Sequence, residues 1–153
     1  MSHTPVALLV AATTIGSAAV GGIFYAFSSF VMPGLDRTGA ADAATAMRGV
    51  NAEAQANAPF LALFFGTTLL AMVLGALAIM QWGRPGSGYL VAGAALAVLP
   101  ALITIAFNVP LNDKLDGGLD WQTYLGPWTA WNHARTVTAL LGAALLWTGG
   151  MTR

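Results

Sequence analysis

The sequence predicts an all-α integral membrane protein: an antiparallel four-helix bundle with a short interfacial helix between spans 1 and 2. Three observations lead there. Hydrophobic residues make up 57% of the chain and charged residues 8%, whereas a soluble domain carries about 25% charged residues. Four apolar segments, approximately 5–32, 59–82, 88–108 and 129–150, are each long enough to cross a ~30 Å hydrocarbon core at ~1.5 Å per residue. Most of the distinctive polar and aromatic residues fall at the same end of all four segments. Spans of this length use most of the 153 residues, so a single membrane domain, 1–153, is expected.

The first element opens at Thr4-Pro5, which suits an N-cap followed by proline in the first turn. It is expected to stop before Pro33-Gly34. Its length exceeds a perpendicular span and implies tilt or a protruding end. A signal peptide is the weaker reading, because the start has no Lys or Arg and the apolar run continues beyond Ser17-Ala18-Ala19. From Gly39 to Ala56 the chain is rich in alanine, with Met47, Val50 and Ala54 at helical spacing, so an interfacial amphipathic helix is expected there. Asn57 caps the second span, with Pro59 in its first turn.

Gln81 to Gly88 reads as a tight turn, which makes spans two and three an antiparallel pair. Pro100 predicts a kink in the third span. Residues Asp113 to Pro127 read as a polar loop, after which the fourth span begins. Small residues four apart, such as Ser17 and Gly21, Gly93 and Ala97, or Ala139 and Ala143, allow close helix approach in lipid. Arg84 and Arg153, tight against span ends, favour cytoplasmic termini. The setting is a multi-pass membrane location, the cytoplasmic membrane in a bacterium.

Composition also excludes functions. Net charge is zero and no basic run exists, so the electrostatic footprint of a nucleic-acid binder is missing. The absence of cysteine removes disulfides, thiolate catalysis, iron–sulfur clusters and Cys-ligated zinc. No HExxH-type spacing supports a metal site, and two histidines at opposite ends cannot ligate one haem. No cofactor is predicted.

The candidate chemistry lies at one membrane face. Asn132, Arg135 and Thr136 share a helix face with Trp128 one turn earlier. A guanidinium at the start of a transmembrane helix turns toward the bundle interior, a partner or water. It either holds the preceding loop through an aspartate or clamps an anion, carbonyl or phenolate. His133 is the natural general base or a single metal ligand, since imidazole is the side chain suited to proton transfer near neutrality, or else an ordinary interfacial residue. Asn51, Asn57, Asn108, Asn112 and Asn132 either cap helix ends or orient ligand oxygens. Aromatics including Tyr25, Trp128 and Trp131 form an interfacial belt or the wall of a pocket. Tyr25 and Ser29, four residues apart on the first helix, are expected to close the pocket opposite Asn108, Asn112, Asn132, His133 and Arg135.

Gly22 through Leu35, then Asn57-Ala58-Pro59-Phe60, Asn108-Val109-Pro110-Leu111-Asn112 and Trp128-Thr129-Ala130-Trp131-Asn132-His133-Ala134-Arg135-Thr136, resemble the anthrone oxygenase-like family of small integral membrane proteins. The resemblance covers almost the whole chain. It implies four helices and, from the characterised fungal polyketide-pathway members, oxidation of an anthrone to an anthraquinone. The family pattern falls on Asn108, Asn112, Trp128, Trp131, Asn132, His133 and Arg135. Within a cofactor-independent oxygenase, His133 would act as base, and Arg135 with the asparagines would stabilise the oxyanion. The expected substrate is a hydrophobic hydroxylated aromatic, anthrone- or quinol-like, that partitions into the lipid bilayer; an oligomer is compatible with this reading. The alternative is a non-catalytic membrane protein that binds a lipid or quinone or scaffolds a partner complex. A transporter is disfavoured by the few polar groups at mid-span.

Overall fold

The computed structural model describes Thr4–Arg153, with side chains from Pro5 onward. The cap expected of the Thr4 side chain and the position of His3 lie outside that range. The described residues form five continuous helical runs and no strand. The first run comprises α1 (Thr4–Ala26), a π turn, π1 (Phe27–Val31), and α2 (Met32–Asp36); α3 (Ala40–Ala56) and α4 (Ala58–Met80) follow. The fourth run comprises α5 (Ser87–Ile103), a second π turn, π2 (Thr104–Asn108), and α6 (Val109–Asp116), and α7 (Trp121–Met151) closes the chain.

Three helices are long and apolar enough to cross a membrane: Pro5–Asp36, Ala58–Met80 and Ser87–Asp116. Together with the composition they make this a membrane protein. The segment expected as a fourth span lies within α7, which at 31 residues is long enough but carries His133 and Arg135 and is not among the three. α7 nevertheless packs along both α1 and α5, and α4 packs on α1 and α5.

Three expected boundaries are corrected. The first helix does not stop at Pro33, and the fourth run continues through Pro110. A proline ring clashes with the carbonyl four residues back, here Ser29 and Ala106. Each of those residues lies within a π turn, and the widened turn accommodates the ring without ending the helix. The polar loop expected from Asp113 to Pro127 shrinks to four residues, Gly117–Asp120. Asp120 Oδ2 accepts from the Gln122 and Thr123 amides at 3.0 and 3.2 Å and starts α7 well before Pro127. Pro127 is exposed near that start and leaves α7 unbroken.

Other expectations hold. α3 is helical over Ala40–Ala56, with Met47 buried and Val50 and Ala54 half-buried. Asn57 Oδ1 caps α4 by accepting from the Phe60 amide at 2.9 Å. The 81–86 turn is closed by the Ser87 hydroxyl donating to the Gln81 carbonyl at 2.8 Å, with Gly86 in left-handed backbone at φ 78°.

Tight helix contact has a clear source in the α5–α7 seam. A Cβ on Gly142 would lie 3.0 Å from the Ala97 nitrogen and 3.1 Å from the Gly93 oxygen, and one on Gly93 would lie 2.8 Å from the Leu146 nitrogen. Seven residues further along each helix, Gly86 faces Gly149. The pairs 93 with 142 and 86 with 149 run in opposite senses, so α5 and α7 are antiparallel in a fixed glycine register.

At the end that bears the site, α3 docks through Ala43, Ala44 and Met47 into a cluster with Met32, Leu115, Trp121, Tyr124 and Trp128. Arg48 Nε and Nη2 donate to the Leu115 carbonyl at 3.1 and 2.9 Å. Asp36 Oδ1 accepts from Trp121 Nε1 at 2.8 Å and from Gln122 Nε2 at 3.0 Å, tying the end of α2 to the start of α7.

Candidate functional site

A cavity of about 920 Å³ lies beneath α3, walled by α1, α4, the π2–α6 segment and α7. Its walls are mainly apolar and aromatic, with Phe24, Phe27, Phe60, Phe64, Phe65 and Trp128 among them. Polar groups enter from two sides: Asn51, Glu53, Gln55 and Asn57 from α3 and the start of α4, and Asn132 and Arg135, one turn apart, from α7.

Both π turns serve this pair. Asn132 Nδ2 donates to the Phe24 carbonyl at 2.7 Å and to Ser28 Oγ in π1. Arg135 Nη1 donates to Thr104 Oγ1 in π2 at 3.0 Å, and Nη2 donates to Asn132 Oδ1 at 2.6 Å. The two widened turns thus supply acceptors to α7 from opposite sides, consistent with the frequent occurrence of π turns at functional sites.

Arg135 is 6% exposed and its guanidinium lies 4.2 Å from the Phe24 ring centroid and 5.3 Å from that of Trp128. Its hydrogen-bond partners are all neutral, and Nε is buried without one. The aspartate anchor considered for this arginine is not formed. Asn51 Nδ2, in the α3 wall, is a second buried donor with no hydrogen bond of good geometry, its neighbour being the Tyr124 phenol. Buried donors left unpaired cost about 1–3 kcal/mol each, more for a charged group, so both are poised for an oxygen-bearing ligand.

Asn112 Oδ1 accepts from the Tyr124 hydroxyl and Trp128 Nε1, both at 2.9 Å, which orients the indole that forms the cavity wall. Tyr124 lies ahead of the 129–150 segment, and burial pushes its phenol above the ordinary tyrosine range, so it is a neutral donor. Asn57 combines its capping role with a place in the wall, and its Nδ2 donates to Glu53 Oε1 at 3.2 Å.

Of the expected site residues, Asn57, Asn112, Trp128, Asn132 and Arg135 therefore line one cavity. Asn108 is buried behind it, donating from Nδ2 to the Trp128 carbonyl at 3.3 Å. Four residues fall elsewhere. His133, one position from Asn132, is exposed on the outer face of α7 and does not line the cavity. Trp131 stacks outside it on Phe107, ring centroids 3.5 Å apart. Tyr25 and Ser29 are exposed; one residue earlier in each case, Phe24 lines the cavity and Ser28 in π1 accepts from Asn132. In a helix one residue is a 100° rotation, enough to move a side chain from the interior to the lipid face.

Glu53, on the exposed side of α3, is the one carboxylate in the cavity wall, and nothing in its local sequence sets it apart. Among the described residues no three His, Asp or Glu side chains converge as a metal site. Thr104, a lone hydroxyl in an apolar span, was the available signal for Arg135's partner, and Ser28 the signal for Asn132's.

Neither the curated proteins nor the solved structures searched give a match. The family model described as anthrone oxygenase matches residues 60–145, more than half of the chain, including most of α4, all of α5, π2 and α6, and most of α7. That stretch contains Thr104, Asn112, Trp128, Asn132 and Arg135, so the chain belongs to the anthrone oxygenase family.

Proposed function

We propose that the cavity binds a flat, apolar, hydroxylated aromatic of the anthrone or quinol type, and that the protein oxygenates it without a bound cofactor. The observation that carries this reading is Arg135: a buried guanidinium with neutral partners and an unpaired Nε in an aromatic-walled cavity. Such a group stabilises a phenolate or enolate more than the neutral ligand, because the negative charge develops in a site of low dielectric. The volume falls within the range of small-molecule pockets. Family membership supports the reaction class.

In this scheme a base removes a proton from the ring methylene and leaves an enolate whose oxygen faces Arg135 and Asn51. The electron-rich carbon reduces O2 and bonds to it, giving a hydroperoxide. Loss of the remaining hydrogen on that carbon as a proton, with cleavage of the O–O bond, leaves a carbonyl and releases water. One O2 is consumed and one water is formed for each methylene converted to a carbonyl. With His133 outside the cavity, we assign the proton-accepting role to Glu53, the carboxylate in its wall.

The same reading places α1, α4, α5 and α7 as four alternating membrane passes in an antiparallel bundle, with α3 at the interface and the termini cytoplasmic. What supports the alternating passes is the antiparallel α5–α7 seam, the short turn between α4 and α5, and the packing of α7 on α1 and α5; the cytoplasmic side for the termini rests on Arg84 and Arg153 near the span ends.

The test is oxygen uptake and quinone formation by the purified protein with a hydroxyanthrone. Equal consumption of O2 and formation of quinone is expected. Glu53→Gln should slow turnover ~10²–10⁴-fold, the usual loss on removing a general base, while His133→Ala stays within a few-fold of wild type. Tight binding with no turnover would leave the non-catalytic ligand-binding reading in its place. Full activity of Glu53→Gln with inactivation by His133→Ala would overturn the assignment of the base.

A further inference from the structure

All six acidic residues, Asp36, Asp42, Glu53, Asp113, Asp116 and Asp120, lie on α2, α3, α6 or the cap of α7, at the end of the molecule that bears the oxygenase site. The opposite end is formed by the start of α1, the turn after α4 and the end of α7, and has no acidic side chain. It does have two arginines. Arg84, in the turn, and Arg153, just past α7, line one cavity of about 430 Å³ whose remaining wall is apolar: Val6, Val10, Pro85, Trp147 and Met151 with small residues of α1 and α7. Trp147 is 60% exposed, at the position where aromatic rings sit at the edge of a bilayer.

The two guanidiniums are close enough that Arg84, after partial burial, helps push Arg153 below the ordinary arginine range. Arg153 is held in place by Nη2 donating to Ser87 Oγ at 3.4 Å, a neutral partner. Both arginines are exposed; two like charges beside an apolar groove at the ends of membrane-spanning helices favour an anion between them, and the adjoining groove offers an aliphatic chain a place to lie.

We propose that Arg84 and Arg153 form a headgroup site for an anionic phospholipid, with the phosphodiester between the guanidiniums and an acyl chain along the Val6, Val10 and Trp147 groove. The inference rests on the membrane reading of the helices and is independent of the oxygenase chemistry at the other end. Anionic lipid on this face would also fix the orientation of the protein, since juxtamembrane basic residues contribute about 1 kcal/mol each toward an anionic surface.

The experiment is native mass spectrometry of the delipidated full chain titrated with phosphatidylglycerol or phosphatidylcholine, with thermal unfolding in matched detergent. Phosphatidylglycerol should bind about tenfold tighter or better, and Arg84→Gln or Arg153→Gln should each weaken it about fivefold, roughly twenty-five-fold together. The double lysine variant should retain a preference for the anionic lipid, which separates lost charge from lost fold. Equal affinity for the two lipids, or a preference unaffected by the double glutamine variant, would overturn the proposal. A stabilisation by inorganic phosphate as large as that by phosphatidylglycerol, and lost in the same variants, would show a small-anion site and overturn the lipid assignment.

Discussion

Replacing Arg135 with methionine is expected to weaken binding of a phenolic ring ligand ~10- to 100-fold while leaving thermal stability unchanged or higher. The two effects separate because this guanidinium is buried without an acid. Its charge-assisted hydrogen bonds to a ligand oxygen are worth roughly 1.5–3 kcal/mol. Within the fold, an isolated buried charge carries a desolvation cost that neutral partners offset only in part, and an apolar side chain of similar length fills the same space. The opposing term is modest: Thr104 Oγ1 and Asn132 Oδ1 each lose one donor, and Asn132 stays anchored on the Phe24 carbonyl and Ser28. Ligand-induced quenching of Trp128 fluorescence and a melting curve read the two quantities. A variant that unfolds well below wild type would assign Arg135 a structural role instead.

Gly142→Ala is expected to destabilise the protein by about 1–3 kcal/mol, a penalty typical of overpacking. The added methyl would lie 3.0 Å from the Ala97 nitrogen and 3.1 Å from the Gly93 oxygen, and these are backbone atoms that cannot rotate away. Gly22→Ala is the matched control, since a Cβ there has nothing within 4 Å. Relief of glycine's conformational entropy should make that variant neutral or slightly stabilising. Thermal unfolding of both in the same detergent checks the pair, and equal melting temperatures would contradict the α5–α7 seam.

That seam also explains what could be read from the chain alone and what could not. The apolar segments were plain because hydrophobic length suffices to mark a helix in lipid. α3 was plain because alanine content and the Met47, Val50, Ala54 spacing agreed. Helix ends were misjudged at Pro33 and Pro110, since nothing local marks a π turn that accommodates the ring, and at Asp120, whose cap was masked by the proline seven residues on.

Facing was the harder problem. In water an apolar face points inward, but in lipid both faces are apolar, so hydrophobicity does not distinguish Tyr25 from Phe24 or His133 from Asn132. Small residues do distinguish them. Stepping back from Gly149 along the buried face of α7 gives Leu146, Gly142, Ala139, Arg135, Asn132, Trp128 and Tyr124, every third or fourth residue, and passes over His133 and Trp131. The glycine pattern near the far end of the helix therefore specifies which polar residues enter the site five turns away.

The most direct test of the account is an experimental structure with a hydroxyanthrone bound under anaerobic conditions. The account predicts the ring between Phe24, Phe64 and Trp128, with a ligand oxygen within hydrogen-bond distance of Arg135 Nε or Asn51 Nδ2 and the reactive carbon facing Glu53. A ligand seated on the outer face of α7 beside His133 and Trp131, with the cavity beneath α3 empty, would contradict it.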